Sequence, residues 1–430
     1  MSGRVWLCVA VVMLAAMAAS VAAGAPVAAG APVAAGAPVA AGAPVASGAG
    51  VSSQELEQGF VPLFNGRDLS GWQAMGAETW AAQDGELVCS GGEGGWLRSD
   101  KQYRDFILRL EYKVSPDGNS GIFVRSTLEG NPAFTGMEIQ VLNDYGDKPD
   151  KHSAGSLYDA VAPAVNASRP AGEWNQVEIT CWGDKLTTYM NGDKLYEVNL
   201  ADPELNAQQA EERKFPNRAQ IGYIGLQNHG SPVAFRNLRI SEGFVPIFNG
   251  RDLEGWKTVR PNDTSWSVQD GALVCSGQEG SYIYTVNRYS DFALRLEYRI
   301  SPGGNSGVFF RVGDVNDFPG SGAEVQVLGS YGREPTTQDA GAIYGLVAPT
   351  KNAARPAAEW NQLEVAVDKG RLTVVMNGEK VVDVGLDEYD KLRSLPPAGH
   401  LGLQNHHSPV AYRDIRVKTP SWQPPTGGVQ

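Results

Sequence analysis

The chain carries one pattern twice. "GFVPLFNGRDLSGW" at Gly59–Trp72 returns as "GFVPIFNGRDLEGW" at Gly243–Trp256, and "FILRLEYKVSPDGNSGIFVR" (Phe106–Arg125) returns as "FALRLEYRISPGGNSGVFFR" (Phe292–Arg311). "EIQVL" matches "EVQVL", "RPAGEWNQVEI" matches "RPAAEWNQLEV", and "LQNHGSPVAFRN" (Leu226–Asn237) matches "LQNHHSPVAYRD" (Leu403–Asp414). The unit is about 180 residues long, several times a solenoid repeat, so each copy must close its own core. Only Ser241-Glu242 stands before Gly243, so the two copies should abut rather than swing freely.

Within each copy the period is two. Phe106, Leu108, Leu110, Tyr112 and Val114 alternate with Ile107, Arg109, Glu111 and Lys113, the pattern of a half-buried strand. "LTTYMNGDKLYEV" reads as two strands joined by Asn191-Gly192, and "LTVVMNGEKVVDV" repeats this at Asn377-Gly378. A type I′ turn needs positive φ at both central residues, which Asn and Gly tolerate. Helical periodicity is confined to Asp202–Arg213. Short strands punctuated by Gly, Pro and Asn predict an all-β chain of two tandem antiparallel sandwiches or jelly rolls. Trp72, Trp174, Trp256 and Trp360 are read as core anchors, whereas Trp96 follows glycines and could stack on a sugar face.

The N-terminus reads as an export signal over residues 1–23, with Arg4, an apolar stretch Val5–Ala19 and small residues at Val21-Ala22-Ala23. The apolar run falls short of the roughly 20 residues that span a bilayer, so no membrane span and a secreted or periplasmic location are expected. Residues 24–58, with their "GAPVAA" repeats, read as a low-complexity linker. The copies are bounded as 59–242 and 243–418, and 419–430 reads as a flexible tail. A net charge of −12 argues against nucleic acid, whose phosphates attract basic surfaces. Cys89, Cys181 and Cys275 remain after the signal, an odd set at strand-like positions that reads as buried free thiols.

Chemistry-bearing residues recur on the polar faces. In "GMEIQVL" alternation puts Glu138 and Gln140 on one face, about 7 Å apart, the scale of a sugar ring. In "GNSGIFVRS" the same rule sets Phe123 and Arg125 together, and the glycines beside Asn119 allow close approach. With Gln227, Asn228 and His229 the inventory becomes a carboxylate, a guanidinium, amides and an imidazole, which suits hydroxyl-rich ligands. No Cys/His spacing suggests zinc. Asn143, Asp144, Asp147 and Asp150 would suffice on paper for a divalent metal but match no calcium-loop spacing, so no cofactor is assigned.

These phrases, together with "GSLYDAVAP" and "GEWNQVEI", resemble the 3-keto-disaccharide hydrolase family over essentially all of Gly59–Ile240 and Gly243–Val417. The resemblance implies a concanavalin-like jelly roll and cleavage of a sugar already oxidised at C3. There the C2 hydrogen lies beside a carbonyl and is acidic. Its removal gives an enolate that expels the glycosidic oxygen from C1, and water then adds. Such a site needs a base near C2, donors for the oxyanion and an acid for the leaving oxygen. On this reading Glu138 or His229 is the base, Arg125 and Asn228 stabilise the oxyanion, and Gln140 and Gln227 position hydroxyls. Asn119, Asp144, His152 and Tyr158 complete the expected substrate contacts. The substrate would be an oligosaccharide or glycoside, with an upstream sugar oxidoreductase as partner.

The second copy keeps Asn305, Arg311, Glu324, Gln326, Tyr344, Gln404, Asn405 and His406 but has Ser330, Gln338 and Gly345 where the first has Asp144, His152 and Asp159. Arg311, Glu324 and His406 are its candidate catalytic residues; if one copy is inactive, it is the second. A non-catalytic tandem lectin needs the same amides and aromatics, so the sequence separates the two readings poorly.

Overall fold

The computed structural model describes residues 51–76, 79–278 and 280–425. The signal, the hexapeptide repeats and Cys8 lie outside them. Each copy folds as two antiparallel sheets packed face to face, an all-β, concanavalin-like sandwich.

In the first copy the larger sheet runs in the order Asp193–Asn199, Lys185–Met190, Asn175–Trp182, Phe106–Val114, Val233–Ser241, Glu86–Cys89, Trp80–Gln83. Phe60–Pro62 also pairs with Val233–Ser241. The smaller sheet orders Trp72–Gly76, Gly95–Tyr103, Gly222–Asn228, Asn119–Ser126, Met137–Leu142. Phe106–Val114 and Asn119–Ser126, consecutive in the chain, are thereby split between the sheets, whose apolar faces cover each other. Leu108, Leu110, Tyr112, Ile122, Val124, Ile139, Val141, Ile224, Leu226 and Phe235 fill the space between them. The second copy repeats the order strand for strand.

Both hairpins form as the turn chemistry dictates, with φ of 49° and 93° at Asn191 and Gly192 and 50° and 84° at Asn377 and Gly378. Cys89, Cys181 and Cys275 are buried and unpaired. The expected helix over Asp202–Arg213 is broken into Pro203–Ala207 and a 3-10 turn at Glu211–Arg213. Trp72 and Trp256 are buried, each donating its indole N–H to a backbone carbonyl. Trp174 and Trp360 are not core anchors. They are half-buried outside the larger sheets, beneath Arg236 at 4.0 Å and Arg413 at 4.0 Å.

The strand Phe106–Val114 is not half-buried along its whole length, since Ile107 and Arg109 on its outer face are also covered. The cover comes from residues that the sequence assigned to the linker. Ser53–Glu57 is a short helix closed by a capping box between Ser52 and Glu55. Glu55 Oε1 accepts from Arg109 Nη1 at 2.8 Å and Arg239 Nε at 2.7 Å, and Arg109 Nε donates to Glu178 at 2.8 Å. Burial opposes ionisation of Glu55, but the bonds from Ser52, Arg239 and Arg109 outweigh it and hold its pKa below the ordinary value. In the second copy Glu242 takes this role, bonding Arg295 at 2.9 Å and also Lys101 of the first copy at 3.0 Å. The two-residue connection is thus an ionic tie between the sandwiches. At the other end of the chain Trp422 packs on Trp182 at 4.9 Å, so the start of the tail is anchored.

Candidate functional site

The outer face of the smaller sheet carries the candidate site. Alternation sends Ile122, Val124, Ile139, Val141, Ile224 and Leu226 inward, so their neighbours face outward. The register then lines up Glu138, Phe123, Gly225, Arg98 and Gln73 across five strands. In the next row Gln140 stands opposite Gly121, and Gln227 opposite Trp96.

Two outward-facing glycines make the face habitable. A Cβ on Gly121 would collide with the Glu138 carboxylate, and one on Gly225 would collide with the Trp96 ring. The missing side chains let the carboxylate and the indole lie flat across neighbouring strands. Trp96 meets Phe123 edge to face at 5.7 Å, and with Ala133 they form a small apolar floor on which Met75, Phe134 and Tyr223 pack. Trp96 is therefore mostly covered by protein rather than open to stack on a sugar.

Glu138 is 4% exposed and has no cation within ion-pair distance among the described residues. Burial alone pushes its carboxyl up to about 7. Gln140 Nε2 lies 3.3 Å from Asn119 Oδ1; turned over, the same amide donates to Glu138 Oε1 at 3.3 Å and to the Ser120 carbonyl at 3.2 Å. Gln227 Oε1 is buried with no protein partner. A buried polar atom left unsatisfied is costly, and a ligand hydroxyl on this face would relieve it.

The open edge of the sheet is extended by the 153–161 loop, which runs beside Met137–Leu142. Tyr158 N donates to Glu138 O at 3.0 Å, and Leu157, bridged to Ile139, points into the core. Tyr158 is thereby set outward next to Glu138, with the His152 ring against it at 5.3 Å. Asn119, Glu138, Gln140, His152, Tyr158 and Gln227 are brought together.

The remaining first-copy candidates are not. The peptide at Arg125 takes φ of 54°, and the register slips there, turning the side chain away. Its guanidinium is 1% exposed and donates to Arg104 O at 2.7 Å and Gly183 O at 3.0 Å, tying two turns together. Asn228 faces the opposite way from Gln227. Its Nδ2 donates to Thr79 Oγ1 at 2.9 Å and Glu93 O at 2.7 Å, and its Oδ1 accepts from Gly230 N at 2.9 Å. Asp144 is a loop clamp, accepting from Ala154 N at 2.9 Å and Ser168 Oγ at 3.2 Å. Ser330 does the same for Ala340 in the second copy, which explains that substitution. His229 lies exposed just beyond Asn228. Two strand spacings and four residues separate it from Glu138, about 17 Å between Cα atoms, so the two side chains do not touch.

In the second copy Glu324 again lies across a glycine, Gly307, and burial pushes its carboxyl up to about 8. Gln326 donates to Asn305 at 3.0 Å, and the Oε1 atoms of Gln326 and Gln404 are buried without partners. Tyr344 N donates to Glu324 O at 3.0 Å, and its side chain is exposed. Arg311 and Asn405 repeat the structural bonding of Arg125 and Asn228, and His406 is exposed. Tyr282 replaces Trp96, and Phe318, stacked on it at 4.2 Å, fills the space over Gly402. Among the described residues of both copies, no cluster of three or more His, Cys, Asp or Glu side chains is grouped to hold a metal ion.

Sequence reasoning noticed the glycines around Asn119 but missed the Trp96–Phe123 floor and Gly225 beneath Trp96. The available signal was a glycine at an outward position between two inward apolar residues, as in "IGLQN" and "NSGIF". A sandwich with a buried carboxyl among amides on one open sheet face suits a hydroxyl-rich ligand, and the family match and named relative make this a carbohydrate-active, glycosyl hydrolase-like protein. The chain belongs to the 3-keto-alpha-glucoside-1,2-lyase-like domain family, whose model matches residues 59–241 and again 243–418. It is 28% identical over 226 residues to a 3-keto-disaccharide hydrolase of Bacteroides thetaiotaomicron, covering 42% of this chain and 78% of that protein. Among solved structures it is similar to a protein provisionally described as a glycosyl hydrolase from Parabacteroides distasonis, at 26% identity and TM-score 0.41, covering 44% of this chain and 97% of that one. A carbohydrate-binding module of Bacillus subtilis aligns at 16% identity and TM-score 0.29, covering 38% and 96%. The family and its named relative do not favour a purely lectin-like protein.

Proposed function

We propose that the first copy cleaves the glycosidic bond of 3-keto-disaccharides or 3-keto-glycosides by C2 proton abstraction, elimination and water addition. The observation that carries this reading is the Glu138 carboxyl, nearly fully buried, unpaired, and poised near 7. A base works best when its pKa lies near the working pH, and the C2 hydrogen of a 3-keto sugar is acidic enough for a carboxylate to remove. Glu138 takes that proton, and the electron pair moves onto the C3 oxygen as the enolate forms. Amide N–H groups of Gln140, Asn119 and Gln227 stabilise the oxyanion in place of Arg125 and Asn228. The enolate collapses, the C1–O bond breaks, and the leaving oxygen takes a proton at the Tyr158 and His152 edge. Water then adds at C1 and gives a proton back to the Tyr158 and His152 edge, while Glu138, its proton exchanged with solvent in the meantime, protonates C2, so the net reaction is hydrolysis.

The substrate must arrive already oxidised, so an upstream sugar oxidoreductase precedes this step, and we assign both to an exported, secreted or periplasmic setting. The second copy keeps the Glu324, Gln326, Gln404 and Asn305 arrangement behind a different rim, and we assign it a different substrate preference or binding without turnover. The test uses the full chain with 3-keto-trehalose beside trehalose, in D2O. Turnover of only the oxidised sugar, with deuterium appearing at C2 and loss of at least 100-fold in Glu138→Gln, is the expected result. Full turnover by Glu138→Gln removes it as base, and equal cleavage of both sugars sinks the mechanism.

A further inference from the structure

The first copy carries a cationic rim, centred on Asp159, whose Lys151, His152 and Asp159 the second copy does not keep. Asp159 is shared by Lys151 Nζ at 2.8 Å, His152 Nε2 at 3.5 Å and Arg213 Nη1 at 3.5 Å. Lys151 and Arg213 are 51% and 40% exposed along their side chains, so each keeps an open edge. Arg218 stands behind them, buried, its guanidinium bonded only to backbone carbonyls of Arg213, Ala133 and Gly136. Desolvation, with Arg213 nearby, draws its pKa down to about 10, and it stays charged at neutral pH. Nearby carboxylates are Asp150, used in a turn with His152 N and Ser153, Glu211, paired with Lys214, and the exposed Glu212.

The rim is continuous with the site. Arg213 lies 3.8 Å over the Phe134 ring, and Phe134 packs against Tyr158 at 6.4 Å and against the Trp96–Phe123 floor. Tyr158 is bonded through its backbone to Glu138, and Asp159 N donates to Lys151 O at 2.9 Å. Backbone bonds thus run from Glu138 through the adjacent Tyr158 and Asp159 to Lys151, which puts the rim at the edge of the site. Thr337, Gln338 and Gly345 stand where the second copy would need Lys151, His152 and Asp159.

We propose that this rim selects glycosides whose leaving group carries a carboxylate. Arg213 and Lys151 would receive it, Arg213 through the open edge of its guanidinium, a geometry suited to two parallel hydrogen bonds. The inference rests on the proposed reaction only for which side of the sugar faces the rim. The test pairs the 3-keto derivatives of 4-carboxyphenyl and 4-carbamoylphenyl glucoside, which differ by one charge, in the full chain. Wild type should prefer the acid about tenfold in kcat/KM, and the preference should fall toward one in Lys151→Gln/Arg213→Gln and at 0.5 M salt. Calorimetric binding of the unoxidised pair provides the second readout. Turnover without an acid preference overturns this inference and leaves the reaction standing. No turnover, with acid-selective binding lost in the double variant, supports the rim and refutes the reaction. Neither turnover nor selective binding overturns both.

Discussion

Replacing Glu138 by Gln should make the protein more stable, and only above a particular pH. In the folded protein burial holds the carboxyl at about 7, against 4.5 for an ordinary glutamate. A group whose folded pKa is raised leaves stability intact below the unfolded value, and that stability is lost as pH rises through the folded value. A shift of that size corresponds to about 3 kcal/mol of destabilisation of the native state, developed between pH 4.5 and somewhat above 7. Gln has the same shape and no charge, so the variant does not suffer this loss. Urea denaturation of wild type and variant, followed by tryptophan fluorescence from pH 4.5 to 8.5, isolates the effect, because groups common to both cancel in the difference. The variant should gain on wild type from pH 4.5 upward, reach half of that gain about midway between the two pKa values, and level off above about 7, about 3 kcal/mol above its acid baseline. Glu324→Gln should begin to gain at the same pH but continue to about 8, to a plateau about 1.4 kcal/mol higher, since its carboxyl lies at about 8. A difference that is flat with pH, or that moves the other way, would show that Glu138 is solvated or paired and would remove the basis for its role as base.

Arg125→Lys should destabilise by about 2 kcal/mol, through lost bonds to Arg104 and Gly183, while kcat/KM per folded molecule stays within twofold. Gly121→Ala should leave the sandwich folded but displace the Glu138 carboxylate and cut turnover at least 100-fold, read by the 3-keto-glycoside assay beside circular dichroism. Glu55→Gln should cost about 3 kcal/mol at neutral pH, because it strips the buried Arg109 and the half-buried Arg239 of their shared carboxylate. Glu55 has its pKa held low, so that contribution is present above the unfolded value and lost as pH falls through the folded one; the two proteins should converge in acid.

Much of the fold was legible because its rules are local. Asn191-Gly192 fixes a turn from two residues, and the Phe106–Val114 alternation fixes which face is apolar without knowledge of the partner. The same rule placed Glu138 and Gln140 on one face and found Gln227 among its neighbours. It failed at Arg125, where a single positive φ and a slipped register rotate the side chain out of the pattern. It failed again at Asn228, which looks like a ligand donor beside Gln227 but alternates onto the other face and meets Thr79 from far along the chain. The helix at Ser53–Glu57 was hidden because five residues carry little periodicity; the Ser52 and Glu55 spacing was the only mark.

By itself the sequence determined a duplicated β-protein, its hairpins, its free thiols and the carboxylate-and-amide composition of each polar face, because period and turn chemistry act between residues a few positions apart. The tertiary structure alone decided that Glu138 has no cation within ion-pair distance among the described residues, that glycines on neighbouring strands make room for it and for Trp96, and that Arg125 and Asn228 turn away from it. Desolvation and contact depend on which distant strands are laid side by side, and no short stretch of chain holds that information.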